Sequence, residues 1–79
     1  MISSRQIRGA RALLNWSGPD LAEKSGVSLK TLRRYEAQDG IPASNTSVHL
    51  TIKKCLENHG IEFTGDPLTN PGVSYRIPK

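Results

Sequence analysis

Apolar positions in this chain recur first with a helical period and then with a strand period, and the change falls at Gly60. Ile7, Ala10, Leu13 and Leu14 form a stripe with 3.6-residue spacing, and Ser3 with Gln6 reads as a capping box ahead of it. A first helix is therefore expected to run to about Asn15. Shorter helical patterns occupy residues 18–25 and 29–38. A fourth fits residues 45–59, started by Ser44 or Asn45, stopped by Gly60, with Val48, Ile52, Cys55, Leu56 and His59 inward. Beyond Gly60, Ile61-Glu62-Phe63-Thr64 and Val73-Ser74-Tyr75-Arg76-Ile77 alternate with period two and read as strands. The segment Gly65 to Gly72 between them consists of turn residues. The expected fold is mainly α, four helices in residues 1–60 followed by a two-stranded β extension in residues 61–79.

Within that plan, Leu21 to Glu36 reads as two short helices around one tight turn. Ser17, Pro19 and Asp20 form a helix start, with a capping serine, a proline tolerated in the first turn and a carboxylate placed to close a capping box. Gly26 falls where the chain must stop and reverse, and Ser28 caps the next helix. On that helix the spacing puts Ser28, Thr31, Leu32 and Tyr35 on one side. Leu29, Lys30, Arg33, Arg34 and Ala37 fall on the other. A face with three cations and one leucine is a poor core. It is either a plain solvated face or a surface for the DNA major groove, where phosphates line the walls and guanine presents two acceptors. Asp39-Gly40 ends this helix, and Ile41-Pro42 forms a connector from which Ile41 returns to the core. Trp16, in the turn between the first two helices, is read as a core plug or a rim contact with the fourth helix.

The pattern L-A-x-x-x-G-V-S-x-x-T-L-x-x-x-E, present as Leu21, Ala22, Gly26, Val27, Ser28, Thr31, Leu32 and Glu36, with Arg11 ahead of it, resembles the lambda-repressor-like (Cro and xenobiotic-response-element type) helix-turn-helix family. The resemblance covers roughly residues 5 to 59. It implies a four-helix DNA-binding domain in which Arg11 and Glu36 form a structural ion pair. The sequence departs from the family at Gly18, where relatives commonly carry a glutamine that touches DNA and steadies a recognition-helix side chain. Gly18 offers only its backbone N–H.

Size and charge sharpen this reading. A chain of 79 residues buries only about 60% of its unfolded surface, so dimerisation would add to a thin stability margin. Residues 1–35 hold seven cations against two carboxylates, net +5, whereas residues 36–79 hold four against five, net −1. The basic half coincides with the helix-turn-helix half, which favours a polyanionic partner. The first residues lack the apolar run of a signal peptide or membrane anchor, so a cytoplasmic location is expected. The single cysteine, Cys55, is read as a buried thiol. Cys55 and His59 are spaced to share a metal, but His49 lies too far round the helix to complete a zinc site, so no metal and no cofactor is expected. The carboxylates are scattered and the histidines have no nearby acid, which argues against an enzyme.

The expected partner is thus double-stranded DNA bearing an inverted repeat, bound by a homodimer. Leu29, Lys30 and Arg34 would read bases, while Ser17, Gly18, Ser28, Arg33, Arg5 and Arg8 would hold phosphates. No small-molecule pocket is evident. Two strands alone are marginal, so they either pack on the chain's own helices or add to a partner's strands. The second is favoured, making Ile61, Phe63, Val73, Tyr75 and Ile77 the dimer interface. A different reading makes the chain a protein-interaction module such as an antitoxin, whose strands bind a partner protein.

Overall fold

Side-chain caps determine where the first three helices begin. In the computed structural model, which describes residues 2–38, 40–41 and 46–77, the order is α1 (Ser4–Leu14), α2 (Gly18–Ser25), α3 (Leu29–Ala37), α4 (Thr46–Asn58), β1 (Ile61–Thr64) and β2 (Gly72–Tyr75). Ser3 and Gln6 close a reciprocal capping box: the Ser3 N–H donates to Gln6 Oε1 at 2.9 Å and the Gln6 N–H to Ser3 Oγ at 3.2 Å. Ser17 and Asp20 repeat the device at α2, and Ser28 alone caps α3 through the Thr31 N–H. Each cap satisfies amides that the helix leaves open, and is worth about 1 kcal/mol. α1 ends with Asn15 in the left-handed region (φ 60°), and α2 ends at Gly26 (φ 77°), where any side chain would be strained. Asp39, Pro42, Ser44 and Asn45, which the sequence marks as helix stop, connector and helix start, lie outside the described residues.

One core joins the helices. Ile7 and Ala10 of α1, Leu21 of α2, Leu32 and Tyr35 of α3, and Ile52, Cys55 and Leu56 of α4 meet there, closed by Ile2 and Ile61. Burial of each large aliphatic contributes about 1.5–3 kcal/mol, so no single helix is stable without the others. Leu13, expected in the α1 stripe, is 43% exposed instead. On α4 the inward positions also differ from expectation. His59 is exposed and His49 is buried, because the face that meets the core includes the side toward the N-terminal segment. There the Ile2 N–H donates to His49 Nε2 at 3.1 Å.

β1 and β2 form an antiparallel pair with Ile61 opposite Tyr75 and Phe63 opposite Val73. Strand β2 begins at Gly72 and stops at Tyr75, so Arg76 and Ile77 lie beyond it. The apolar face of the hairpin packs on the chain's own helices, the first of the two arrangements open to these strands. Ile61 is fully in the core, and Phe63 and Tyr75 pack against it. The physical reason lies in α1. Gly9 lets the helix approach β2 so closely that a methyl group there would meet Val73 Cγ2 at 3.1 Å. Three residues earlier, Gln6 Nε2 donates to the carbonyls of Thr64 (3.3 Å) and Gly72 (3.0 Å), clamping the loop end of the hairpin. Of the five residues expected at a dimer interface, only Ile77 is well exposed, at 71%. Among the described residues no helix is long and apolar enough to cross a membrane.

His49 generates a pH prediction. Burial lowers its pKa below the ordinary value of 6.5, and protonation would also cost Nε2 its bond from Ile2, with Lys53 one turn away adding like charge. A group whose folded pKa is depressed stabilises the fold above its unfolded pKa and loses that contribution as pH falls. The urea midpoint should therefore hold from pH 8 to about 7 and fall between about pH 6.5 and 5, before the carboxylates titrate. In His49→Gln the fall over that window should largely vanish, as followed by circular dichroism.

Candidate nucleic-acid interface

Helix α3 is short, and only Leu32 and Tyr35 of its nine residues are buried. Its orientation is instead fixed at its C-terminal end by Glu36. The Arg11 guanidinium grips the Glu36 carboxylate, with Nη2 at 2.5 Å from Oε1 and Nε at 3.2 Å from both oxygens. Arg11 Nη1 also donates to the Trp16 carbonyl at 3.2 Å, so one side chain ties α1, the α1–α2 turn and α3. Side-chain exposure is 23% for Arg11 and 11% for Glu36, making this a largely desolvated pair. Arg8 joins them by donating from Nη1 to the Glu36 backbone carbonyl. Bonded to the last turn of α3, where carbonyls lack helical partners, this guanidinium is a structural tie.

The opposite side of α3 carries the charge. Lys30, Arg33 and Arg34 are exposed, and none has an ion-pair partner among the described residues. Arg5 is likewise exposed on α1. Leu29 is half-buried because it leans on the start of α2, where a methyl group added to Gly18 would come within 3.3 Å of Leu29 Cδ1. This contact brings the α2 N-terminus against the outward face of α3. In the first turn of α2 the Asp20 N–H is taken by Ser17 Oγ, Pro19 has no N–H, and the Leu21 N–H bonds the Ser17 carbonyl. Among the described residues the Gly18 N–H has no hydrogen-bond partner, and it lies at the positive end of a helix dipole. The two serines are alike in this respect: the Ser17 hydroxyl accepts from the Asp20 N–H and bonds the Asp20 carboxylate, and Ser28 Oγ donates to Thr31 Oγ1 at 2.9 Å, so each would have to exchange a bond for an anion. Asp20, on the same surface, is held ionised below the usual carboxylate range by its bonds from Ser17.

Other chemistry is sparse. His59 Nδ1 donates to the Cys55 carbonyl at 2.7 Å, and its ring meets Trp16 edge-on at 4.7 Å, so Trp16 is the rim contact beside α4 rather than a stacking platform. Burial raises the Cys55 thiol pKa, which makes it unreactive. Among the described residues no three metal-ligating side chains cluster. Sequence reasoning missed two residues that tie distant parts of the fold together. Gln6 was legible only as a cap, and His49 gave no local signal, since its partner is 47 residues away. No family model matches the chain, and no curated protein aligns with it significantly.

The pair at Glu36 makes a direct prediction. Arg11→Met should strand a desolvated carboxylate and cost about 3 kcal/mol in urea unfolding, and adding Glu36→Leu should recover much of that loss. Arg8→Met should cost about 1 kcal/mol, since the carbonyl it leaves can turn to water.

Proposed function

We propose that this protein is a sequence-specific double-stranded DNA-binding transcriptional regulator of the lambda-repressor-like helix-turn-helix type, working as a homodimer with α3 in the major groove. One observation carries the reading. The α3 cations Lys30, Arg33 and Arg34 are exposed with no ion-pair partner among the described residues, on the helix whose first residue, Leu29, lies against the Gly18 start of α2, while Arg8 and Arg11 are bonded to Glu36 within the fold. A helix N-terminus with an open amide is suited to a phosphate, and a neighbouring cationic helix face to base edges. In this arrangement Ser17, Gly18, Arg33 and Arg5 hold the backbone and set register. Arg34 reads guanine through two acceptors, Lys30 supplies a second donor, and Leu29 meets a thymine methyl. Gly18 changes the usual division of labour. With no side chain to brace α3 from α2, Leu29 itself rests on the Gly18 backbone, so an apolar contact supports the recognition helix.

The hairpin's packing on its own helices supports a regulator over an interaction module that orders only with a partner protein. Neutralising three or four phosphates per subunit should give a dimer a log affinity versus log salt slope of about −5 to −7. Arg34→Ala should weaken the preferred site by about 1–3 kcal/mol and relax preference at one base position. Arg33→Ala should weaken all duplexes alike and flatten the slope by about one unit per lost contact. Fluorescence anisotropy across a salt series checks both, and a flat response would remove DNA from the account.

A further inference from the structure

Where α4 runs into β1, a cleft of about 520 Å³ opens between the end of the helix and the mouth of the hairpin, lined by residues 57–62 and 76–77. Its volume falls within the range of small-ligand sites, about 300–1,000 Å³. The apolar lining is Ile61, a core residue, and Ile77, which at 71% is the most exposed large apolar residue described. The polar lining is unbalanced. Glu57 lies in the last turn of α4, where the helix dipole favours cations, yet that turn holds no basic residue. Neither Lys53, one turn back, nor any other described cation forms an ion pair with Glu57. Arg76, the cation of the lining, is already bonded to Glu62 at 2.6 Å. His59 spends its Nδ1–H on the Cys55 carbonyl, so Nε2 of the neutral ring is left as an acceptor. A carboxylate at the disfavoured end of a helix, beside a hollow and with no compensating contact in the fold, is the kind of local conflict that binding sites retain.

We propose that this cleft binds a small aliphatic ammonium ligand, its cationic head against Glu57 and the carbonyl end of α4 and its hydrocarbon body along Ile61 and Ile77. An ammonium group offers three donors to a lining whose unspent groups mostly accept, and its charge supplies what the last turn of α4 lacks. The hydrocarbon body covers Ile77, which the fold itself leaves in water. An anionic ligand would meet Glu57 and the negative end of the helix, and the guanidinium that could receive it is held by Glu62. The site carries its own reporter. Trp16, the single tryptophan, meets the His59 ring edge-on at 4.7 Å, so an occupant that engages His59 changes the indole's surroundings. This inference rests on the cleft alone, independent of what α3 binds.

Titration of the full chain with n-hexylammonium, followed by Trp16 fluorescence and by backbone amide chemical shifts, tests it. Saturable binding with a Kd of about 1 mM is expected, within the per-atom ceiling for so small a ligand. The shift changes should concentrate in residues 57–62 and 76–77. Hexanoate, with a similar body and the opposite charge, should bind at least about tenfold more weakly. Glu57→Gln should weaken hexylammonium about fivefold, in keeping with an exposed ion pair, and Ile77→Ser by about as much. Both substitutions fall on exposed residues, so both variants should melt as cooperatively as the parent. N-acetyl-lysinamide, which presents the same head on a peptide, should bind more weakly than hexylammonium; tighter binding would give the cleft to a partner protein's lysine and overturn the proposal. Equal affinity for hexanoate and hexylammonium, unchanged affinity in Glu57→Gln, or no saturable shift in residues 57–62 at tens of millimolar ligand would overturn it as well.

Discussion

Glu36 is the residue on which the geometry of α3 depends. Its carboxylate holds Arg11 and its backbone carbonyl holds Arg8, so two cations of α1 converge on the last turn of a helix that buries only two side chains. Hydrophobic packing alone would allow such a helix to roll about its axis, because burial is not directional. The guanidinium fork is directional: it meets both carboxylate oxygens and the Trp16 carbonyl at once and ties α3 to the turn before α2. Desolvating the pair has a cost that the added bonds offset, and what is gained is a defined angle between α1 and α3.

That angle sorts the cations of the basic half into two sets. Arg8 and Arg11 face inward, toward Glu36, and stabilise the fold. Lys30, Arg33 and Arg34 are exposed, without an ion-pair partner among the described residues. The net charge of this half therefore overstates the charge offered to a partner. The other half of the chain is used differently. Its strands complete the core beneath α1 through Ile61, Phe63 and Tyr75, held by Gln6 and the close approach at Gly9.

The parts of the fold legible in sequence were those encoded within a few residues. Ser3 with Gln6, Ser17 with Asp20, Ser28 and Gly26 marked helix ends that the structure shows within a residue or so, because a cap and the amide it satisfies lie three positions apart. Period-two alternation found β1 with its observed bounds, whereas β2 runs from Gly72 to Tyr75 instead of Val73 to Ile77. Contacts over long separations were not legible. Arg8 looked like any exposed arginine until α3 was laid across it. His49 and His59 could not be ranked as inner and outer, because a helical face wide enough to be buried includes either one until the position of Ile2 is known. Within the candidate site, the outward set Leu29, Lys30, Arg33 and Arg34 followed from helical periodicity, while the seating of Leu29 on Gly18 required the packing of two helices.

The central claim is that the outer face of α3, with the α2 N-terminus beside it, reads duplex DNA. Selection of bound sequences from a pool of randomised duplexes measures this most directly. The account predicts an enriched inverted repeat whose half-sites are centred one helical turn or a multiple of it apart, about 34 Å for a single turn, each half containing an invariant guanine. A pool that remains random after repeated rounds at moderate salt would contradict it.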